Sequence, residues 1–255
     1  MSAFLELKNL GKSFTSGQGE HTVFSSINLT VEKGEFLCIV GSSGCGKSTL
    51  LRVVGGFERP TTGEVLLEGK PVAAPGPRCA MVFQTFDQLL PWRTVLGNIA
   101  YPLQVNPQAG GRQEARARAA QYLEMVGLTK FANYHPHQLS GGMKQRVAIA
   151  RALAMQPELI LMDEPFASLD AETRTTLQKE LKRIWLESGI TVLFVTHSII
   201  ESIALSTRLM AMGEHPESVK LLLENPVQGP RDELKTPESL GYAECWGLLS
   251  KAIRK

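Results

Sequence analysis

Long apolar runs are absent from this chain of 255 residues. The longest, residues 159–162 and residues 190–195 with one Thr inside, fall far short of the ~20 apolar residues that a bilayer-spanning helix needs. If the protein serves a membrane, another chain is expected to do the spanning. Residues 1–14 carry no basic stretch followed by an apolar core, so a secretory leader is not expected. Cysteine is scarce: Cys38, Cys45, Cys79 and Cys245 stand apart, with no CxxC pair. That argues against a zinc ribbon or a dithiol redox motif, and isolated cysteines suit a reducing compartment. Charge of one sign is also lacking. With a net charge of +2 and 20% charged residues, the chain makes no electrostatic case for a nucleic-acid partner. No internal repeat or low-complexity segment is present.

What is present is the pattern of one large α/β domain with a short tail, at 43% hydrophobic content. Residues 4–10 and 22–31 alternate as strands, and a turn signal follows at residues 32–35. Residues 36–40 are continuously apolar, which suits a fully buried strand. Strand patterns recur at 64–67, 80–83, 159–162 and 190–195. Helical patterns begin at Lys47 and cover 113–126, 139–156, 172–186 and 199–205. The stretch from Thr85 to about Pro136 reads as helical, with a Pro/Gly-rich joint at 106–112. This alternation predicts an α/β fold with a mainly parallel sheet and helices on both faces. A helical insert is expected over about residues 85–160 and a tail over about 213–255, where Pro226, Pro230 and Pro237 break the pattern before a terminal helix at 238–253.

Three segments carry chemistry. Gly41-Ser42-Ser43-Gly44-Cys45-Gly46-Lys47-Ser48 fits GxxxxGK[ST] in full, between a buried strand and a helix. Its glycines let successive backbone N–H groups face phosphate oxygens, and the helix adds its positive end. Lys47 is suited to the β- and γ-phosphates and Ser48 to Mg²⁺; residues 41–48 with Thr49 form the candidate nucleotide-binding set. The helix end and Lys47 are expected to lower the thiol pKa of Cys45. Next, the buried strand 159–162 delivers Asp163 and Glu164 at its C-terminal end, the edge where open α/β sheets bind ligands. Asp163 suits the Mg²⁺ shell, and Glu164 suits the base that deprotonates an attacking water. Last, Leu139-Ser140-Gly141-Gly142-Met143-Lys144-Gln145-Arg146 opens a helix with a good N-cap and two glycines, the makings of an anion site.

Beside the phosphate loop and the acidic strand end, LSGGMKQR resembles the signature of the ABC ATPases, and the resemblance spans about residues 5–212. It implies a P-loop NTPase core with an antiparallel β edge and a helical subdomain, ATP and Mg²⁺ as ligands, and hydrolysis coupled to transport. It further implies a dimer, of identical chains, in which Ser140, Gly141 and Gly142 of one subunit complete the ATP site of the other. By the same resemblance Gln84 contacts Mg²⁺ and water, the loop Ser168-Leu169-Asp170 crosses the dimer seam, His197 is a switch that contacts the γ-phosphate, and Phe14 stacks on adenine where tyrosine is more usual. Two departures, Ser198 where importers commonly have aspartate and Ser202 where alanine is usual, bear on the hinge beside His197.

The segment Gln88-Leu89-Leu90-Pro91-Trp92-Arg93-Thr94-Val95 looks like that of importer ATPases for nitrate, taurine and aliphatic sulfonates. Its apolar residues either receive a helix from a membrane subunit or pack inside their own domain. The implied partners are a second ATPase subunit, separate transmembrane permease subunits and, through them, a solute-binding protein. The implied location is the cytoplasmic face of the cell membrane, as a peripheral subunit. The alternative is a non-transport ABC ATPase acting on nucleic acid or ribosomes. Against it, residues 47–139 are too few for the long coiled coils of repair ATPases, and one cassette is present where ribosomal types usually carry two.

Overall fold

Strand β3 (Phe36–Gly41) is buried at every position, and its two faces serve different cores. Phe36, Cys38 and Val40 join one apolar cluster, while Leu37 and Ile39 join another. A strand covered on both faces needs no polar alternation, which is why this run is continuously apolar. In this computed structural model, residues 3–17, 19–84, 88–105, 111–167, 169–227 and 233–254 are described. Thr85, residues 106–110 of the expected joint, Ser168 and Pro230 lie outside the described residues.

β3 is central to a six-stranded sheet. With β6 (Cys79–Val82), β7 (Leu159–Asp163), β8 (Thr191–Thr196), β9 (Arg208–Met212) and β10 (Val219–Glu224), the spatial order is β10-β9-β3-β8-β7-β6. All neighbouring pairs are parallel except β10 against β9. The register aligns Val40 with Thr196 and Asp163 with Val195. The segments following β3, β6, β7 and β8 therefore leave the sheet at one edge. β9 and β10 are not read from the sequence: the buried Leu-Met-Ala-Met run of β9 is too short for periodicity to separate strand from helix.

A second, antiparallel sheet has the order β2-β1-β4-β5, built from β1 (Leu5–Ser16), β2 (Gly19–Val31), β4 (Thr62–Leu67) and β5 (Lys70–Pro71). β1 runs past the expected end at residue 10. Its register against β2 shifts three times between Leu7 and Ser13, and Asn9 has φ 53°. Bulges turn side chains off the alternating pattern, so the strand is longer than its alternation. The second apolar cluster fills the space between the two sheets, with Leu5, Phe24, Ile27 and Leu50 among its fully buried members.

Helices α1 (Lys47–Val54), α2 (Val95–Val105), α3 (Arg112–Met125), α4 (Gly141–Ala154), α5 (Ala171–Ser188), α6 (Ile199–Leu205) and α7 (Tyr242–Arg254) complete the chain. α2, α3 and α4 pack on one another. α3 buries Ala115, Ala119 and Leu123, the i, i+4, i+8 stripe of one helix face. The helical pattern expected from Thr85 begins only at Val95. The buried Asn98 is the reason: it accepts from Leu90 N at 2.7 Å and donates to the carbonyls of Leu90, Arg93 and Thr94 at 3.1–3.2 Å. Its side chain takes over the backbone partners of the preceding turn. Among the described residues no helix is long and apolar enough to cross a membrane.

Candidate nucleotide-binding site

The phosphate loop is held by close packing from both sides. A Cβ on Gly41 would meet the Met212 carbonyl oxygen at 2.4 Å, and one on Gly46 would meet Val23 Cγ1 at 2.6 Å, with φ +99° besides. Both positions exclude a side chain. Lys47 is 5% exposed, and its Nζ donates to the carbonyls of Gly41 and Ser42, each at 2.8 Å. The ammonium spans the loop that it follows.

Cys45 departs from expectation. It is 1% exposed and packs among Leu37, Ile39 and Leu50 in the core between the sheets. Burial raises its thiol pKa, and the opposing pull of Lys47 is the smaller effect. Only its backbone is placed to serve a ligand.

A cleft of about 480 Å³ opens over the loop, lined by Ser43, Gly44, Gly46, Lys47, Ser48 and Thr49 on one side and by Gln84, Glu164 and His197 on the other. Ser48 Oγ donates to Asp163 Oδ1 at 2.9 Å. Burial pushes the Asp163 carboxyl above the usual carboxylate value, and the Ser48 hydrogen bond opposes this. Glu164 has φ 45°, in the left-handed region that costs a side chain energy, and its N–H donates to Val195 O at 3.0 Å. One carboxylate oxygen, Oε2, accepts from Gln84 Nε2 at 3.3 Å and lies 2.9 Å from His197 Nδ1. A carboxylate only accepts, so that imidazole nitrogen carries the proton. Residues from two neighbouring strand ends thus converge on one oxygen of the carboxylate at the third.

The remaining expected residues sit elsewhere. Ser42 faces a separate cavity beside the 213–217 turn. Phe14 lies opposite His21 in the β1–β2 register, with Lys12 Nζ 4.6 Å from its ring centre. His21 and Val23, rather than Phe14, line the cleft, and the sequence offers only their hairpin pairing as a signal. Ser140 caps α4, its Oγ accepting from Met143 N at 3.3 Å. Neither it nor Gly141 or Gly142 lines this cleft. Ser198 caps α6 by accepting from Glu201 N at 3.3 Å, and Ser202 Oγ donates to Ile199 O at 2.8 Å. Both departures are absorbed locally. In the 88–95 segment Leu89 is buried while Trp92 is 71% exposed, so Leu89 packs inside its own domain and the Trp92 ring does not.

A glycine-rich loop between a buried parallel strand and a helix, with a carboxylate pair at the end of a nearby strand, defines a phosphate-loop nucleotide hydrolase. The chain belongs to the ABC transporter family, which it matches over residues 24–167. It is an ABC-type ATPase. The nitrate import ATP-binding protein NrtD of Synechococcus elongatus is 44% identical over 244 residues, covering 95% of this chain and 89% of that protein. The bicarbonate transport ATP-binding protein CmpD of Synechocystis sp. is 45% identical over 242 residues, 94% of this chain and 86% of CmpD. Among solved structures, the dimeric post-hydrolysis state of the ATP-binding cassette MJ0796 bound to ADP and Pi matches with a TM-score of 0.79 and 35% identity, over 89% of this chain and 100% of that one.

Proposed function

We propose that this chain powers the import of a small anionic solute, working as a dimer whose two ATP clefts are each shared between subunits. It is the ATP-hydrolysing subunit of an importer. The observation that carries the hydrolytic reading is the meeting of Gln84 and His197 on Glu164 Oε2 beside the phosphate loop. The solute class rests on the similarity to the nitrate and bicarbonate import proteins. We read residues 1–255 as one cassette, with a helical insert over about 85–160 and a tail over about 213–255.

ATP lies with its phosphates along residues 41–49, where backbone N–H groups, the α1 end and Lys47 meet their charge. Phe14, beside the cleft wall of His21 and Val23, serves the adenine. Water attacks the γ-phosphorus, Glu164 takes the water proton, and the bond to the ADP oxygen breaks to release phosphate. Gln84 and His197 hold Oε2 and so orient the carboxylate, which leaves Oε1 for the water. Among the described residues no group of three or more His, Cys, Asp or Glu is arranged to hold a metal. The Ser48 hydroxyl and Asp163 carboxylate, 2.9 Å apart, with the Gln84 amide, are the hard oxygen donors that fit Mg²⁺ when phosphates and water supply the rest. Bound there, Mg²⁺ would neutralise phosphate charge.

That Ser140–Gly142 lie outside the cleft of their own chain supports their service to a partner's ATP. The exposed Trp92 supports a membrane-subunit contact, and with it a peripheral position at the cytoplasmic face of the membrane. The permease and a solute-binding protein are the further partners. Mixing Lys47→Ala and Ser140→Arg chains tests the shared cleft. Each is inactive alone, and the mixture regains activity through one intact cleft per heterodimer; heterodimers without activity would refute sharing. For the solute, cells carrying Lys47→Ala are expected to lose uptake of one labelled anion among nitrate, bicarbonate and an aliphatic sulfonate. Unchanged uptake of all three would reject the small-anion reading.

A further inference from the structure

We propose that Gln145 is a positioning residue that couples the Gln84 loop of one cleft to the signature helix serving the other. It lies within the signature segment, about one and a half turns beyond Ser140, and has no place in the chemistry above. It is 2% exposed, and its Nε2 donates to the Phe83 carbonyl at 3.2 Å. That carbonyl belongs to the peptide unit joining Phe83 to Gln84. Gln88 closes on the same residue from the far side of the loop: its Nε2 donates to Phe83 O at 2.9 Å, and its Oε1 accepts from Phe83 N at 3.2 Å. The two glutamines approach each other, Gln88 Nε2 to Gln145 Oε1, at 3.4 Å. Arg151, further along α4, donates to Gln88 O at 2.7 Å. The Phe83 carbonyl thus receives two amide donors, and both ends of the 83–88 loop are tied to α4.

The consequence follows from rigidity. Gln84 already holds the Glu164 carboxylate, so its peptide shifts when the nucleotide phosphates change the position of Glu164. A shift of that peptide either carries Gln145 with it or breaks a buried hydrogen bond, and an unsatisfied buried polar group costs on the order of 1–3 kcal/mol. Gln145 sits about 7.5 Å along the helix from Ser140. A helix transmits the displacement to its own N-terminus, which serves the partner's nucleotide under the shared-cleft reading on which this inference rests. Occupancy of one cleft is thereby felt in the other.

The test is steady-state ATP hydrolysis by the full-length chain across ATP concentrations, with Gln145→Met as an apolar isostere and Gln145→Asn as a polar side chain one carbon too short. The wild type is expected to give a Hill coefficient well above 1, up to the two sites present. Either variant that folds should bring it to about 1, with single-site ATP affinity unchanged. A merely structural role would lower the unfolding temperature and leave the Hill coefficient alone. A folded variant that keeps the wild-type coefficient overturns the proposal, as does a wild type that is itself non-cooperative. The Lys47→Ala and Ser140→Arg mixture separates the two levels. Recovered activity there with an unmoved coefficient in Gln145→Met sinks the coupling alone, whereas no recovery sinks the shared cleft beneath it.

Discussion

Glu164 combines a catalytic carboxylate with a left-handed backbone, φ 45°, and the two demands conflict. A residue with a Cβ gives up about 1–2 kcal/mol in this region relative to glycine. Comparing Glu164→Gly with Glu164→Ala isolates that term. Both variants lose the same hydrogen bonds to Gln84 and His197, so those losses cancel. Against the relief, glycine gains freedom in the unfolded chain worth about 0.4–1 kcal/mol. The net is about 0.5–1 kcal/mol in favour of glycine. For a chain of 255 residues, where 1 kcal/mol moves Tm by roughly 2–4 °C, the glycine variant should unfold about 1–4 °C above the alanine variant. Both should bind ATP and lose hydrolysis by about 10²–10⁴-fold, the usual cost of removing a general base. Thermal unfolding without nucleotide and steady-state phosphate release give the two readings. A glycine variant no more stable than the alanine one would show that no strain is stored at this carbonyl-to-carboxylate turn. Near-normal hydrolysis by either would remove Glu164 from the chemistry.

Asp163→Asn should raise Tm in the nucleotide-free protein. The folded pKa of Asp163 is raised above its ordinary 3.8, so its contribution to stability is whole below that value and is lost as pH rises through the folded one. The gain from asparagine is therefore larger at pH 7 than at pH 3, and a gain independent of pH would contradict burial as the cause. Trp92→Ala hides little surface: at 71% exposure about 70 Å² of a ~250 Å² side chain is covered, so at most about 2 kcal/mol is lost, against ~3–5 for emptying a buried site. It should instead weaken pull-down of the membrane subunit, and intact binding with a large loss of Tm would reverse that assignment. Cys45, with its raised thiol pKa, should react slowly with a thiol reagent at neutral pH, faster as pH rises, and slower still with MgATP present; fast labelling at pH 7 that Cys45→Ala abolishes would place the thiol at the surface.

The chemistry was more legible than the framework around it. Lys47, Glu164, Gln84 and His197 each follow a short buried strand and Asp163 ends one, and their spacing in the chain maps onto one sheet edge because the strands are parallel and in register. Family resemblance then named the roles that a lone Gln or His would not reveal. Side-chain direction was not legible. Cys45 lies between two glycines of the loop yet turns into the core, and Leu89 and Trp92 lie three residues apart yet divide between interior and solvent. β9 was missed because its buried run is too short for periodicity to separate strand from helix, and β10, an edge strand paired with β9, shows no clean alternation of buried and exposed positions. Gln145 lies in the signature segment and Gln88 opens the 88–95 segment, but their meeting at Phe83 depends on how α4 crosses the loop.

The seat of β3 also governs how the protein is born. Its hydrogen-bonding neighbours are β8 and β9, with Phe36 opposite Val192 and Gly41 opposite Met212. A ribosome making about 5–20 residues per second reaches Met212 on the order of 10–30 s after Gly41. Until Thr196 is made the nascent chain carries an apolar strand without either lateral partner, and until Met212 is made the adjoining loop lacks its packing against the Met212 carbonyl. Nucleotide affinity therefore arrives late in synthesis and abruptly. Until then, residues 36–40 are an apolar segment of the newborn chain that lacks part of its sheet.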